Sequence, residues 1–158
     1  MNTVLQFLDH HQIDYQLYHH PPVFTVEEGK KQKIHIPGAH TKNLFLRNKE
    51  KTHFFLYSLP ADKRADLKSL AKLLRVSRLS FASPDFLWQY LRLKPGSVSP
   101  FGLLHDKTCQ VKFILDKALW EADLVGFHPN VNTATIVLKQ TGFRHFLDLV
   151  DHQPYVLS

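Results

Sequence analysis

Three short segments of this 158-residue chain bring together residue types that can do chemistry. Lys42-Asn43-Leu44-Phe45-Leu46-Arg47 sets a cation and an amide at the mouth of an apolar run. A lysine in that position can grip a phosphate or steady developing negative charge. Gly96-Ser97-Val98-Ser99-Pro100-Phe101-Gly102 is a loop of small residues, and glycine lets backbone N–H groups come close to a ligand. His128-Pro129-Asn130-Val131-Asn132-Thr133-Ala134-Thr135 leads polar groups into a strand. Each segment alone reads first as a turn and a strand; only their joint presence points to a site.

Other constellations are weaker. Cys109, the single cysteine, stands at the start of a strand and reads as a buried structural thiol, because a reactive thiolate needs an electropositive, partly exposed setting. The eleven histidines include the adjacent pairs His10-His11 and His19-His20, whereas ligands on one helix face need spacing near four. Surface or capping roles account for them better, and neither a metal nor another cofactor is expected. Asp9 and Asp14 form no acid/base pair in a glycine-marked loop, and the P-loop and dinucleotide-binding glycine patterns are missing.

Composition bounds the rest. An apolar fraction of 44% with twelve Phe excludes a disordered chain, and the length suits one compact domain over residues 1–158. No apolar run is long enough to cross a bilayer, and the N-terminus lacks the pattern of a signal peptide. One cysteine cannot close an intrachain disulfide, so a cytoplasmic protein is expected. The net charge of +6 favours a polyanionic partner without establishing one. Lys63, Arg64, Lys68, Lys72 and Arg75 are either the solvated face of a helix or a surface toward RNA.

The elements that must carry these segments can be read in order. Val4, Phe7, Leu8 and His11 mark a first amphipathic helix, and His20-Pro21-Pro22 ends any helix before it. Thr25-Val26-Glu27-Glu28 fits a capping box that opens a short helix toward Lys31. Pro37-Gly38 is a turn. Strands are expected at 42–47, 53–59, 78–82, 110–115, 124–127, 134–138 and 155–157. Leu67, Leu70, Ala71 and Leu74 mark one helix, and Ser83-Pro84 caps another through Leu91. Residues 95–102 form a loop, and Thr141 caps a last helix containing Phe143, Phe146, Leu147 and Val150.

Taken together, the Lys-Asn-Leu-Phe-Leu-Arg and Gly-Ser-Val-Ser-Pro-Phe-Gly strings, with Pro21-Pro22-Val23-Phe24-Thr25-Val26-Glu27-Glu28, resemble the bacterial prolyl-tRNA editing family. That family comprises the YbaK-type proteins and the editing domain inserted in bacterial prolyl-tRNA synthetases. The likeness runs from about Pro21 through the final helix and is strongest to the free-standing alanyl-tRNA(Pro) deacylases of the ProX/PrdX type. It implies a mixed α/β (α+β) fold, a central mixed, barrel-like sheet surrounded by helices. It also implies the roles of individual residues. Lys42 would meet the terminal adenosine and phosphate of tRNA, with Asn43 beside it, and Gly96 to Pro100, including Ser97, Val98 and Ser99, would position ester and water. His128 and Asn132 match the His-Pro-x-x-Asn segment; Lys42, Gly96 and His128 form the implied catalytic set. Val23, Thr25, Val98 and Phe101 would contribute to substrate binding. The implied partners are the acceptor end of mischarged tRNA(Pro) and prolyl-tRNA synthetase, with no membrane. No synthetase core accompanies the domain, so action in trans is expected.

That chemistry is reasonable without a nucleophile. An aminoacyl ester is already activated, so a positioned water or the neighbouring ribose hydroxyl suffices, with backbone donors for the oxyanion. A tight pocket can exclude proline by overlap while accepting alanine. A cysteinyl-tRNA(Pro) deacylase, a non-catalytic aminoacyl-tRNA or synthetase-binding module of the same fold, and a general basic RNA binder are the competing readings.

Overall fold

A computed structural model describes residues 1–22 and 36–158. The expected capping box at Thr25–Glu28 and its helix lie outside the described residues, as do Val23 and Phe24.

The chain begins with helix α1 (Asn2–His10), which buries Val4 and Leu8. Strand β1 (Tyr15–His19) follows, an element with too irregular a pattern to be foreseen from sequence. β2 (Ala39–Arg47) and β3 (Phe54–Pro60) come next, then helix α2 (Leu67–Leu74), β4 (Ser80–Phe81) and helix α3 (Pro84–Leu91). Asp66 caps α2 by accepting from the Ser69 amide, and Ser83 caps α3 by accepting from that of Phe86. The expected strand over 78–82 shrinks to two residues. The expected loop at 95–102 ends early too, because Pro100 opens a 3₁₀ helix (Pro100–His105) capped by Ser99. Proline at the first helical position forfeits no hydrogen bond.

β5 (Val111–Asp116) runs into a one-turn helix α4 (Lys117–Trp120), and β6 (Leu124–Phe127) and β7 (Ala134–Lys139) form an antiparallel pair. Helix α5 (Gln140–Leu149) starts at Lys139 with no side-chain cap, so Thr141 is an exposed residue of its first turn rather than its N-cap. β8 (Tyr155–Leu157) closes the chain.

These eight strands form one mixed sheet in the order β1-β7-β6-β2-β3-β5-β8, with β4 added on β2. Both halves of the sheet face one core. Phe45, Leu56, Phe113 and Leu115 enter it from β2, β3 and β5, and Val125, Phe127, Ile136 and Leu138 from β6 and β7. The sheet therefore curls around its inward face, with α1, α3, the 3₁₀ helix and α5 filling the interior. Alternate residues point outward. Leu46, Phe55, Tyr57, Leu59 and Ile114 build a second, smaller core there, against Leu70 and Ala71 of α2.

β2 joins the two halves. Its start pairs in parallel with β6 (Ala39 with Val125, His40 with Gly126), and its end pairs antiparallel with β4 (Leu46 with Phe81, Arg47 with Ser80). Both partners lie on the same edge, since β3 occupies the other along residues 41–47. Among the described residues no strand pairs with residues 41–45 on the shared edge, so β2 and β6 part there.

Candidate active site

The parting of β2 and β6 sets the geometry. His40 lies opposite Gly126 at the last pairing before the strands part, and Lys42 and His128 each follow two residues later along their own segment. Strand alternation gives both the same face. Ala39, Phe45, Val125 and Phe127 pack inward, so His40, Lys42, Gly126 and His128 belong to the outward side, where α2 also packs. Lys42 is half-buried, and Leu59 is its partner across β3.

Asn43 does not share that face. It points inward with Thr41, opposite Ser58 of β3. Ser58 Oγ donates to Asn43 Oδ1, Asn43 Nδ2 donates to Thr41 Oγ1 at 3.3 Å, and Thr41 Oγ1 donates to the Gly126 carbonyl at 2.8 Å. Four residues thus form a hydrogen-bonded path from β3 through β2 to β6, ending two residues before His128. Ser58 is wholly buried, so its hydroxyl needs this acceptor. Asn43 holds the two strands where they separate, a duty the simple notion of a residue beside Lys42 had missed.

His128 has a defined tautomer. Its Nδ1 lies 2.9 Å from the Ala134 carbonyl, which can only accept, so Nδ1 carries the hydrogen. Burial pushes the imidazole below its ordinary value of 6.5; the Ala134 bond opposes this and the neighbouring His20 adds to it. The ring is therefore neutral at pH 7, with Nε2 as an acceptor.

His20 proves not to be a solvent histidine. Its Nδ1 donates to the Pro21 carbonyl at 2.8 Å, and Nε2 then accepts from Thr135 Oγ1 at 2.9 Å. The His20 and His128 rings lie 5.9 Å apart, tilted by 56°. A period-based reading had no signal for this pair, because β1 and β7 bring it together over more than a hundred residues. Asn130 is a further residue that motif spacing passed over. It adopts a left-handed conformation (φ 63°), and its buried Oδ1 has no hydrogen-bond partner among the described residues. Asn132 is half-buried in the same turn.

The glycine loop reaches this region through the core. Gly96 has φ +88°, a conformation that favours glycine. Ser97 and Ser99 are buried, and Ser99 Oγ accepts from the Phe101 amide at 3.1 Å. Phe101 is 1% exposed and packs edge-on against Phe127, with 6.2 Å between centroids, and against Phe146. It is therefore a core residue that ties the 3₁₀ helix to the end of β6. Val98 is half-buried against the same core, and Pro100 is buried. Among the described residues no hydrogen bond joins this loop to Lys42 or His128. Val23 and Thr25 lie outside the described residues.

Two further expectations change. Cys109 is exposed rather than buried. Partial desolvation and the carboxylates of Asp151 and Asp106 push its thiol up, which disfavours a nucleophilic thiolate. Lys63 is not part of an open basic face: its Nζ sits 2.6 Å from Oδ2 of the buried Asp116. Arg64, Lys68, Lys72 and Arg75 remain exposed; Lys68 and Lys72 follow one stripe of α2, and Arg75 is its left-handed C-cap just beyond them.

The profile of the aminoacyl-tRNA editing domain matches residues 20–146. The chain belongs to this editing family. The match begins at His20 and takes in the whole of the geometry just described. Prolyl-tRNA editing protein ProX of Acetoanaerobium sticklandii is 43% identical to this editing domain over 137 residues, 87% of this chain and 84% of that protein. The Prolyl-tRNA synthetase associated domain-containing protein 1 of Mus musculus is 36% identical over 147 residues, 90% of this chain and 86% of its own length. A solved structure described as a candidate trans-editing enzyme for prolyl tRNA synthetase superposes with a TM-score of 0.70. It is 19% identical, with 99% of this chain and 94% of that one covered, and so supports the mixed fold. No helix among the described residues is long and apolar enough to cross a membrane.

Proposed function

We propose that the chain hydrolyses the ester of mischarged alanyl-tRNA(Pro) in trans. The observation that carries this reading is the placement of Lys42 and a neutral His128 two residues beyond the last β2–β6 pair, where the strands part. Its support from relatives is the 43% identity to a prolyl-tRNA editing protein.

The residues divide the work by face. On the outward side, Lys42 grips the phosphate or terminal adenosine of the acceptor end, where a charge-assisted contact is strongest. His128 Nε2 accepts a hydrogen bond from the attacking water or from the ribose hydroxyl, orienting it toward the ester carbonyl. From the core side, where the glycine loop enters, main-chain N–H groups of Gly96, Val98 and Ser99 stabilise the oxyanion, with Ser97 and Val98 near the bound residue. On the inward side, Asn43 with Ser58 and Thr41 fixes β2 against β6, so that Lys42 and His128 keep their spacing. Val23, Thr25, Phe101 and Asn132 complete the proposed binding set, Phe101 from within the core. Because α2 stands on the same side of the sheet as Lys42, its stripe of Lys68 and Lys72, with Arg75 at the C-cap, offers a path for the acceptor stem. The setting is a cytoplasmic one beside prolyl-tRNA synthetase, and no cofactor takes part.

Deacylation of alanyl-, cysteinyl-, seryl- and prolyl-tRNA(Pro) tests the proposal. Rapid release of alanine with proline retained is the expected outcome. Preferred release of cysteine would reassign the specificity, and binding of all four without hydrolysis would make the chain a binding module.

A further inference from the structure

The histidine pair has a role that the editing reaction does not require in advance. His20 and His128 are drawn from opposite ends of the chain and anchored by two consecutive residues of β7. His128 Nδ1 is bound to the Ala134 carbonyl, and His20 Nε2 to the Thr135 hydroxyl. β1 itself is locked to β7 at this end, since His19 pairs with Ala134 and the His20 amide donates to the Thr133 carbonyl at 2.9 Å. Beside them Gly126 presents no side chain. A Cβ there would stand 3.2 Å from Thr135 Cγ2, tighter than ordinary contact, so a side chain at 126 would press on the threonine that holds His20.

Each imidazole is thus fixed in the same way, with Nδ1 as donor to a main-chain carbonyl. For His20 this leaves Nε2 as an acceptor, and Thr135 fills it. For His128 the structure gives Nε2 no partner among the described residues. One ring is fully engaged by protein, and the other keeps one nitrogen for a ligand.

We propose that His20, held by Thr135, is a positioning residue that fixes the orientation of His128 and so keeps the Nδ1–H bond to the Ala134 carbonyl that sets its tautomer. The inference rests on the editing function proposed above. His20 lies along one side of the His128 ring at 5.9 Å and restricts its rotation, while Thr135 prevents the His20 ring from turning away. Neither residue needs to touch the substrate. An error of about 1 Å in a reacting group costs on the order of a hundredfold in rate, so even a modest swing of the His128 ring is costly.

The test combines kinetics with nitrogen NMR on the full chain. His20→Ala and Thr135→Val should lower the single-turnover rate of alanyl-tRNA(Pro) hydrolysis on the order of tenfold to a hundredfold, with the KM for tRNA nearly unchanged. His20→Gln, whose carbonyl can accept from Thr135, and Thr135→Ser should restore most of that loss. In wild type the His128 nitrogens should show the signature of a single neutral tautomer with hydrogen on Nδ1, and in His20→Ala they should shift toward the average of two tautomers. Unchanged turnover in His20→Ala and Thr135→Val would overturn the proposal. So would reduced turnover with the His128 signals unmoved, or a failure of both conservative variants to rescue. If wild type hydrolyses no aminoacyl-tRNA, the functional reading falls on its own, and the nitrogen signals still decide whether His20 fixes His128.

Discussion

Lys42 and His128 each stand two residues past the last β2–β6 pair, His40 with Gly126, on the outward side of the sheet where the two strands part. The pairing of His40 with Gly126 sets that relationship, so it depends on backbone register rather than on any contact between the two side chains. With Lys42 in its proposed role toward the acceptor end, its loss should weaken binding more than chemistry. Lys42→Ala is expected to raise the KM for tRNA roughly tenfold and to lower the salt dependence of binding by about one counterion. A rate restored at saturating enzyme in single turnover confirms the binding role, and a rate that stays low assigns Lys42 to the chemical step.

His128 gives a pH dependence with a definite sign. Its neutral form is the acceptor, and burial places its folded pKa below the ordinary 6.5. Activity should therefore hold as pH falls through 6.5 and decline only below that, when the ring gains its second proton. His128→Ala should lower kcat by roughly 10²–10⁴-fold with tRNA binding retained. A pH–rate profile of kcat measured alongside binding checks both expectations. A fall in activity beginning well above pH 6.5 would contradict them.

On the proposed function the α2 stripe would serve RNA, whereas Lys63 serves the fold. Reversing Lys68, Lys72 and Arg75 together to Glu should raise the KM for tRNA at least about tenfold, since three phosphate contacts would be lost. Lys63→Ala should leave KM unchanged and instead lower the melting temperature, because Asp116 would keep a buried carboxylate without its cation. Equal effects of the two changes on KM would refute this division.

His152 and Asp106 make a stability prediction away from the site. Nε2 of His152 lies 2.9 Å from Asp106 Oδ2, Nδ1 lies 2.6 Å from the Val150 carbonyl, and both side chains are almost wholly buried. Asp106 also accepts from the Gln110 and Val111 amides, at 3.0 and 2.8 Å. Burial pushes its carboxyl up, but the bonds from His152 and the two amides outweigh it and hold the group below its ordinary 3.8. Its contribution to stability is therefore present above the unfolded value and lost as pH falls through the lower folded one. His152→Ala should destabilise by about 3–5 kcal/mol in denaturant titrations at pH 7, because one partner of a buried pair is removed. Asp106→Asn should lose less and flatten the acid limb of the stability curve.

Local patterns were legible where short-range physics decides. The apolar run of β3, the Leu67-Leu70-Ala71-Leu74 face of α2 and the Ser83-Pro84 start of α3 all stand as their sequences predict. The three chemical segments were also visible, because unusual residue types stand out against a regular background. Long-range placement was not. Nothing in Tyr15–His19 announces a strand that brings His20 to His128, since register with β7 is fixed by tertiary pairing. The split between Lys42 and Asn43 follows from a period of two once the strand is known, yet a motif read as a string hides it. From sequence Phe101 fits either a pocket wall or the core, because an aromatic beside glycine suits both, and its packing against Phe127 and Phe146 is visible only in three dimensions. Thr141 had the right chemistry for a cap, but the helix begins one residue before it.

β2 is gripped at both ends on one edge, by β6 at its start and β4 at its finish, with an unzipped span between. A strand so clasped cannot slide by a single residue without breaking both clasps at once. An added or deleted residue between Thr41 and Phe45 would have to bulge into the gap, or else trade the lysine for the asparagine on each side of the sheet. Length within this span should therefore be guarded more strictly than the identity of its apolar residues. The same clasping makes the bare stretch a stiff ruler, one that sets a distance rather than bending to whatever it meets.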